Sequence, residues 1–565
     1  MYSLDDLLRD KRGVVIAMAS VECPIAKKYA PRMGVIEREH EGQFAFVHVN
    51  TVEGEAAEAI RDAAMEAGFR GLYARDAGGV VRRELMPRTT TEVFVIDSER
   101  VLRYRGAIDD GFRFGGAASR VRRAFLRDAL RAVAAGERVE VASTQAPGCL
   151  VDIPEDAANS RATSDAGNKD AAPITFYPKV ADVVARNCME CHATRGVGPF
   201  RLATPADFEG RVSMVAAMVR EQIMPPNHGL AWEGESPLVT SRMMTREDRE
   251  TLLAWLASDR AVGAAPRQAG AVPPDALADN TWAIGTPDQI IVAPGPLLSA
   301  HGSPVFGRFF VPVNNERDEW ITAIETRPTM HDSIDTATIW LIRAGDVLPS
   351  LTDLPRAAEL FATFSKPDRV VRYEDAAGRW LPAGSVLAVD IQARPTGKET
   401  RANLRIAMAF AKPDASPVSA SGRATVRVLG VAPDRLEIAP NDSDARILAS
   451  RTFNQPARIV ALTPVLGQRG REVTVELHQP GQPVKTLLDL RRWDWRWLTR
   501  YPLARPIDAP AGARVVVRAR FDNSDANPAN PDATAGVSLG VGPGRELVYV
   551  GLECHGTNEE AAVGP

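Results

Sequence analysis

The spacing of apolar residues changes character along this chain. In residues 1–145 short continuous apolar runs alternate with stretches of helical period. Val14-Val15-Ile16-Ala17-Met18, Phe44-Ala45-Phe46-Val47-His48-Val49 and Val93-Phe94-Val95-Ile96-Asp97 have the length and β-branched content of buried strands. The first predicts a strand feeding Cys23-Pro24 and a helix through Met33 and Ile36. Val101-Leu102-Arg103-Tyr104 predicts a hairpin partner for the third run, and a long helix is expected over roughly 117–135. From 176 the period is helical: Val180, Val183 and Val184 share a face, as do Met214, Val215, Met218, Val219 and Ile223. Thr245 with Asp248 is a serviceable N-cap pair before Leu252, Leu253, Trp255 and Leu256. After about residue 275 short strands take over, punctuated by Pro, Gly and Asp, as in a β-sandwich. Val426 to Val431, Val473 to Leu477 and Val515 to Phe521 are the clearest. Val386-Leu387-Ala388-Val389 is continuously apolar, so it predicts a buried strand without telling which face points inward.

Between these regions lie two stretches without apolar period. Residues 152–173 are rich in Asp, Ala, Asn and Ser, and 262–275 in Ala, Gly and Pro; both read as linkers. At 565 residues the chain exceeds one core and should hold three or four domains. Its formal net charge of −4 comes without a basic block, which argues against nucleic acid and anionic membrane surfaces as partners. No run of about 20 apolar residues exists to span a bilayer.

The stretch richest in chemistry is Cys188-Met189-Glu190-Cys191-His192, because C-x-x-C-H is the attachment sequence for c-type haem. Two thiols three residues apart on one turn can each form a thioether to a vinyl group, and the next residue offers an imidazole to the iron. The competing reading is a zinc or disulfide C-x-x-C with an incidental His. Downstream stand Gly196-Val197-Gly198-Pro199-Phe200 and Met224-Pro225-Pro226. With these motifs, residues 174–262 resemble a class I cytochrome c domain, of the type with G-P-F after the haem sequence and an M-P-P distal segment. The resemblance implies one covalent haem c held by Cys188 and Cys191, with Pro199 in the haem-binding segment. Its iron would lie between His192 and Met224, a thioether suiting an electron-transfer haem. Met214 and Met218 fit better as core, and Met243 and Met244 are lesser rivals for the distal place. Covalent haem also implies the periplasm or another extracytoplasmic space. Met1-Tyr2-Ser3-Leu4-Asp5-Asp6-Leu7 has no basic n-region or apolar h-region, so a signal is expected to have been removed from this numbering or the start assigned too late.

Three of the five cysteines remain once the haem takes two: Cys23, Cys149 and Cys554. Cys23 follows a buried strand and opens a helix, where the helix N-terminus favours a nucleophilic thiolate. Its surroundings, C-P-x-A-x-x-Y-A-P, then E-V-F-V-I-D and Y-R-G-A-I-D-D, resemble a thioredoxin-fold domain of the redoxin type. Yet no second cysteine stands at C-x-x-C spacing. Where such domains carry T-P before E-V-F, with its proline in the cis form, this chain has Thr90-Thr91. Cys149, in Pro147-Gly148-Cys149, either resolves a disulfide with Cys23 or caps the domain. Thiol chemistry at Cys23 and a structural or docking role both stay open.

Residues 280–550 contain Phe309-Phe310-Val311-Pro312, Asp318-Glu319-Trp320-Ile321, Pro395-Thr396-Gly397-Lys398, Arg469-Gly470, Trp493-Asp494-Trp495-Arg496-Trp497 and Asp522-Asn523-Ser524 with Asn527-Pro528 and Asn530-Pro531. This set resembles the copper type II, ascorbate-dependent monooxygenases, the family of peptidylglycine hydroxylase. The resemblance implies two jelly-roll-like sandwiches with one copper each. Copper prefers imidazole and thioether donors, but the positions matching the family's ligands are Asp335-Thr336, Gln392-Ala393-Arg394, Pro464-Val465-Leu466-Gly467 and Glu546-Leu547. No copper is therefore expected. The chain has eight histidines; those in this half, His301, His331, His478 and His555, are scattered. His331 and the Cys554-His555 pair read first as ordinary surface, core or chain-end residues, and second as metal ligands.

The expected architecture is multidomain. An α/β thioredoxin-like fold occupies 1–150, a linker 151–173, an all-α cytochrome c fold 174–262 and a linker 263–279. Two all-β jelly-roll-like sandwiches follow at 280–415 and 416–565. The expected function is that of an extracytoplasmic c-type haem redox protein, for electron transfer or haem-based oxidoreductase chemistry. Its partner would be a redox protein or a small-molecule or peptide substrate. Two alternatives are a copper monooxygenase fed electrons by the fused cytochrome, and a non-catalytic binding module.

Overall fold

The computed structural model describes residues 3–52, 55–113, 116–117, 121–152, 174–193, 198, 200–226, 238, 244–264, 282–300, 302–330, 333–353, 359–366, 368–373, 377–396, 398–411, 424–527 and 529–556. The chain divides into two compact units, Met1–Pro225 with Arg242–Pro274, and Pro226–Ser241 with Asp275–Pro565. The second unit thus takes in residues that the sequence pattern assigns to the haem segment.

In the first unit a five-stranded sheet runs in the order Leu72–Arg75, Phe44–Asn50, Gly13–Ala19, Val93–Asp97, Leu102–Gly106. The first three strands are parallel and the last two antiparallel to their neighbours. This order and polarity make the N-terminal region thioredoxin-like. Alternate residues explain why the central strand reads as unbroken apolar sequence. Val15 and Ala17 face one core with Tyr29, Met33 and Ile36 of helix Pro24–His40 and Leu126 and Leu130 of helix Phe125–Ala135. Val14 and Met18 face a second core with Val47, Val49 and Phe94. Both faces of the strand are covered, so no polar alternation is required.

The helix expected over 117–135 begins only at Phe125. The Asp110 carboxylate accepts the amides of Arg122 and Arg123 at 2.8 and 3.1 Å, and the Ile108 carbonyl accepts the Leu126 amide at 3.0 Å. Those bonds offer the preceding backbone partners that a helix would not. Strand Leu72–Arg75 and helices Ala57–Ala67 and Val80–Leu85 were not foreseen.

From Ile174 to Gly263 the described residues form helices and the loops between them, with one bridging residue, Leu238. Helices Ala181–Asn187, Val212–Arg220 and Arg246–Leu256 bury Val180, Val183, Val184, Val215, Val219, Leu252, Trp255 and Leu256 in one cluster with Phe176 and Phe208. Thr245 caps its helix by accepting the Asp248 amide at 3.0 Å, a contact worth about 1 kcal/mol. Asp248 also accepts from Arg186 at 2.7 Å and Asn187 at 3.0 Å, joining the first helix to the last. The segment's two ends meet, since Phe176 and Tyr177 donate to the Ala261 and Val262 carbonyls, each at 2.9 Å.

The second unit is β-rich. A sheet ordered Val305–Pro312, Val386–Ala393, Ile334–Ile342, Glu359–Ser365 shares a core, including Ile339, Leu387, Val389 and Ile391, with strands Glu319–Pro328 and Leu404–Phe410. Strands Ala445–Thr452, Arg514–Phe521, Gly470–His478 and Lys485–Leu490 form another sheet over a second core. A nine-stranded sheet runs through both, because Ala377–Arg379 pairs in parallel with Ala424–Val426 across the expected boundary at 415. Trp340 and Ala388 project into the second core while Leu387 and Val389 project into the first. The apolar run 386–389 is therefore inward on both faces.

Candidate functional site

Cys188, Met189 and Cys191 lie on the turn that ends helix Ala181–Asn187 and begins Met189–His192. The Cys188 carbonyl accepts the amides of Cys191 at 3.1 Å and His192 at 2.9 Å, so the two thiols and the imidazole project from one tight turn. Burial, with Cys191 adding to it, pushes the Cys188 thiol up to about 12. His192 is half-buried, and its Nδ1 lies 2.8 Å from the Phe200 carbonyl. A carbonyl only accepts, so Nδ1 carries the proton and Nε2 keeps a bare lone pair. Burial holds this imidazole below its ordinary pKa, outweighing the Phe200 bond, which acts in the opposite sense. The return of the chain onto His192 needs glycine. Gly198 donates to the Cys191 carbonyl at 2.7 Å, and a Cβ there would stand 2.6 Å from His192 Nδ1.

Met224 follows helix Val212–Arg220 in a turn; its amide donates to the Met218 carbonyl at 3.2 Å, and the residue is 36% exposed. Met214 and Met218 are half-buried, and Met244 packs on the cluster of Val215 and Val219. Pro199 and Met243 lie outside the described residues.

Cys23 is 2% exposed and caps the start of helix Pro24–His40. Glu55, which the sequence pattern did not single out, builds its loop. The Glu55 carboxylate accepts from Ser20 Oγ at 2.5 Å and from the Val21 and Glu22 amides, each at 2.9 Å, while Ser20 Oγ accepts the Cys23 amide at 3.0 Å. Cys149, 126 positions on, lies near enough to Cys23 for each to shift the other's ionisation. Residues Ala146–Val151 run antiparallel to Arg88–Thr91. Thr90 donates its amide to the Cys149 carbonyl at 2.9 Å, and Val151 donates to Arg88 at 3.2 Å. Cys149 returns its own amide to Thr90 Oγ1 at 3.2 Å. Thr90-Thr91 is thus a docking ledge for this segment. Burial resists ionisation of Cys23, but hydrogen bonds with Cys149, Thr90 and the Ala26 amide outweigh it and lower the thiol below its ordinary value. Cys149 is raised, mainly by its bond to Cys23 and then by burial.

Both cysteine segments also hold the start of helix Val212–Arg220. Arg211 pairs with Glu22 and lies 5.3 Å from the centre of the Phe200 ring. Asp152 accepts the Val212 and Ser213 amides at 3.1 and 3.0 Å, placing a carboxylate at the helix N-terminus.

In the second unit the positions matched to copper ligands do converge, but other groups fill them. Asp335 and Arg394 form a buried ion pair, with Arg394 Nε 2.7 and 2.6 Å from the two carboxylate oxygens. A Cβ on Gly467 would meet Glu546 Oε1 at 1.9 Å, and Glu546 accepts the Arg469 amide at 3.1 Å. Burial raises the Glu546 carboxyl, with Arg469 opposing. Asn523, from the D-N-S segment, accepts Arg469 Nε at 2.7 Å, so that segment braces the cluster. A cation–carboxylate pair and a glycine–carboxylate contact offer no imidazole or thioether, and this donor set does not fit copper. His478 bonds Glu476 at 3.0 Å, and His555 lies in strand Val548–Gly556 beside buried Cys554. His301 and His331 lie outside the described residues. Among those residues no cluster of three His, Cys, Asp or Glu side chains suited to a metal ion occurs, and no helix is long and apolar enough to cross a membrane.

No family model and no curated protein matches the chain. Among solved structures, it is similar to a hypothetical protein of Sinorhizobium meliloti 1021, at 24% identity and TM-score 0.25 over 26% of this chain and 84% of that one. A thioredoxin-like protein solved in solution in its oxidised form matches at 16% identity and TM-score 0.21, over 24% of this chain and 87% of its own. PNGF-II matches at 8% identity and TM-score 0.21, over 48% of this chain and 66% of its own. At these scores the thioredoxin-like assignment stands on the strand order and polarity of the N-terminal sheet.

Proposed function

We propose that the chain is an extracytoplasmic redox protein whose working centre is a haem c on Cys188, Cys191 and His192, with Met224 as the distal ligand. The observation that carries this reading is the His192–Phe200 bond, which fixes the ring and leaves Nε2 bare beside two thiols of one turn. A disulfide C-x-x-C gives no reason for that arrangement; a zinc site would use the same bare nitrogen, and it is the G-P-F and M-P-P segments that favour haem over zinc. A bound haem would supply a one-electron iron couple. This chain's residues hold and orient it: Gly198 lets the chain close on the ring, and Phe200 fixes the proton on Nδ1. The extracytoplasmic location follows from covalent attachment of haem. The sandwich strands then serve as scaffold or partner surface.

Replacing Met224 with Ala tests the distal assignment. The oxidised protein is expected to lose its methionine-to-iron absorption near the red edge and to bind small ligands such as cyanide or imidazole more readily. An unchanged spectrum would assign the distal place to another residue.

A further inference from the structure

We infer that the thioredoxin-like domain clamps the two segments carrying the axial residues, with Glu22 and Asp152 as its positioning residues for the iron site. The inference rests on the haem reading of Cys188–His192. Two contacts carry it, from places far apart in the chain. Glu22 stands in the loop before helix Pro24–His40 and pairs with Arg211. Asp152, just past the segment Ala146–Val151, accepts the Val212 and Ser213 amides at 3.1 and 3.0 Å. Both anchors are built into the domain. The Glu55 carboxylate accepts the Val21 and Glu22 amides, each at 2.9 Å, and the Asp152 carbonyl accepts Arg82 Nη1 at 3.3 Å. Arg82 is itself buried and bonded to Asp76 at 3.1 Å.

What the clamp holds leads to both axial positions. Arg211 is buried; besides pairing with Glu22, its guanidinium donates to the Asp207 and Glu209 carbonyls at 3.2 and 3.1 Å and lies over the Phe200 ring. Phe200 is the residue whose carbonyl fixes His192 Nδ1, and the two rings stand 4.9 Å apart. Helix Val212–Arg220 begins at the clamp, and at its far end the Met218 carbonyl accepts the Ile223 and Met224 amides at 2.9 and 3.2 Å. One anchor thus reaches the proximal imidazole through a single residue and the distal candidate through one helix. The bundle has its own core, and Asp248 ties its first helix to its last, so its folding does not call for these contacts. Loss of the Glu22 carboxylate would leave a buried guanidinium without its counter-charge. Loss of the Asp152 charge would leave the helix N-terminus with a weaker acceptor. Either change frees the start of the helix that leads to Met224.

Full-length matured protein carrying Glu22→Gln or Asp152→Asn tests this by titration with imidazole, which competes with the distal thioether. Each variant is expected to keep the parent's haem mass yet bind imidazole about tenfold more tightly, the equivalent of one charge-assisted hydrogen bond lost from the support of Met224. The methionine-to-iron absorption should weaken in step. Glu39→Gln, which breaks an ion pair of the same domain away from the clamp, should leave both readings unchanged. Haem-loaded variants with the parent's imidazole affinity would overturn the inference and leave the haem reading standing, whereas an unsubstituted chain without haem would remove both. Amide hydrogen exchange on the unsubstituted protein needs no variant to fold. The peptide covering 211–216 should exchange as slowly as the buried turn Leu252–Leu256, and rapid exchange there would equally overturn the clamp.

Discussion

His192→Ala is expected to leave a haem attached through two thioethers while abolishing its low-spin spectrum. The imidazole is the one nitrogen donor that the C-x-x-C-H turn offers, and its ring is already aimed by the Phe200 carbonyl at 2.8 Å. Removing it deletes the proximal donor and also strips the Phe200 carbonyl of its partner. The contact is part-buried, so water can partly replace the lost donor, but the turn holding Gly198 and Phe200 should loosen as well. Absorption spectra of oxidised and reduced protein read the first effect, and addition of free imidazole should restore much of the low-spin spectrum. If His192→Ala kept the parent spectrum without added ligand, the iron would be held by a different residue.

Arg394→Ala is expected to destabilise the second unit by about 3–5 kcal/mol, the cost of leaving one member of a buried ion pair without its partner. Asp335 sits between strands of the first core with its side chain 9% exposed, and both of its oxygens are within 2.7 Å of Arg394 Nε. Arg496 is near enough to feel Asp335, but its guanidinium is committed to Asp494. Denaturant unfolding followed by tryptophan fluorescence measures the loss. Replacing both residues, with Asp335→Leu and Arg394→Met, should recover most of it, because no lone charge is then buried. If Arg394→Ala unfolded like the parent, the pair would carry no structural weight.

Local pattern revealed the elements whose causes are local. The run at Val14–Met18, the Cys23-Pro24 helix start, the Thr245 cap and the C-x-x-C-H turn each depend on residues a few positions apart, and each has the structure its spacing implies. What the sequence hid was produced at long range. Glu55 sits in an unremarkable acidic stretch, and only the fold brings it beneath the Cys23 loop. Asp110 shortened a helix by binding amides twelve and thirteen residues away. The two-faced burial of Val386–Ala393 follows from a sheet shared between two cores, which no single-strand period can announce. Cys149 was visible as a candidate partner for Cys23, but its β-pairing with Thr90 was not.

The copper-ligand positions show the same division. Residue types alone exclude imidazole donors, whereas the pairing of Asp335 with Arg394 is a property of packing. In the C-x-x-C-H segment, sequence supplied the three reactive groups, and the fold added the carbonyl that sets the histidine tautomer.

Covalent haem on Cys188 and Cys191 is tested most directly by the intact mass of the periplasmically matured chain, taken with its pyridine haemochrome spectrum. The expected result is a mass increase of one haem, retained under denaturing conditions and lost in Cys188→Ala with Cys191→Ala, together with the spectrum of a haem bound through two thioethers. An unmodified chain mass from cells that mature other c-type haem proteins would contradict it.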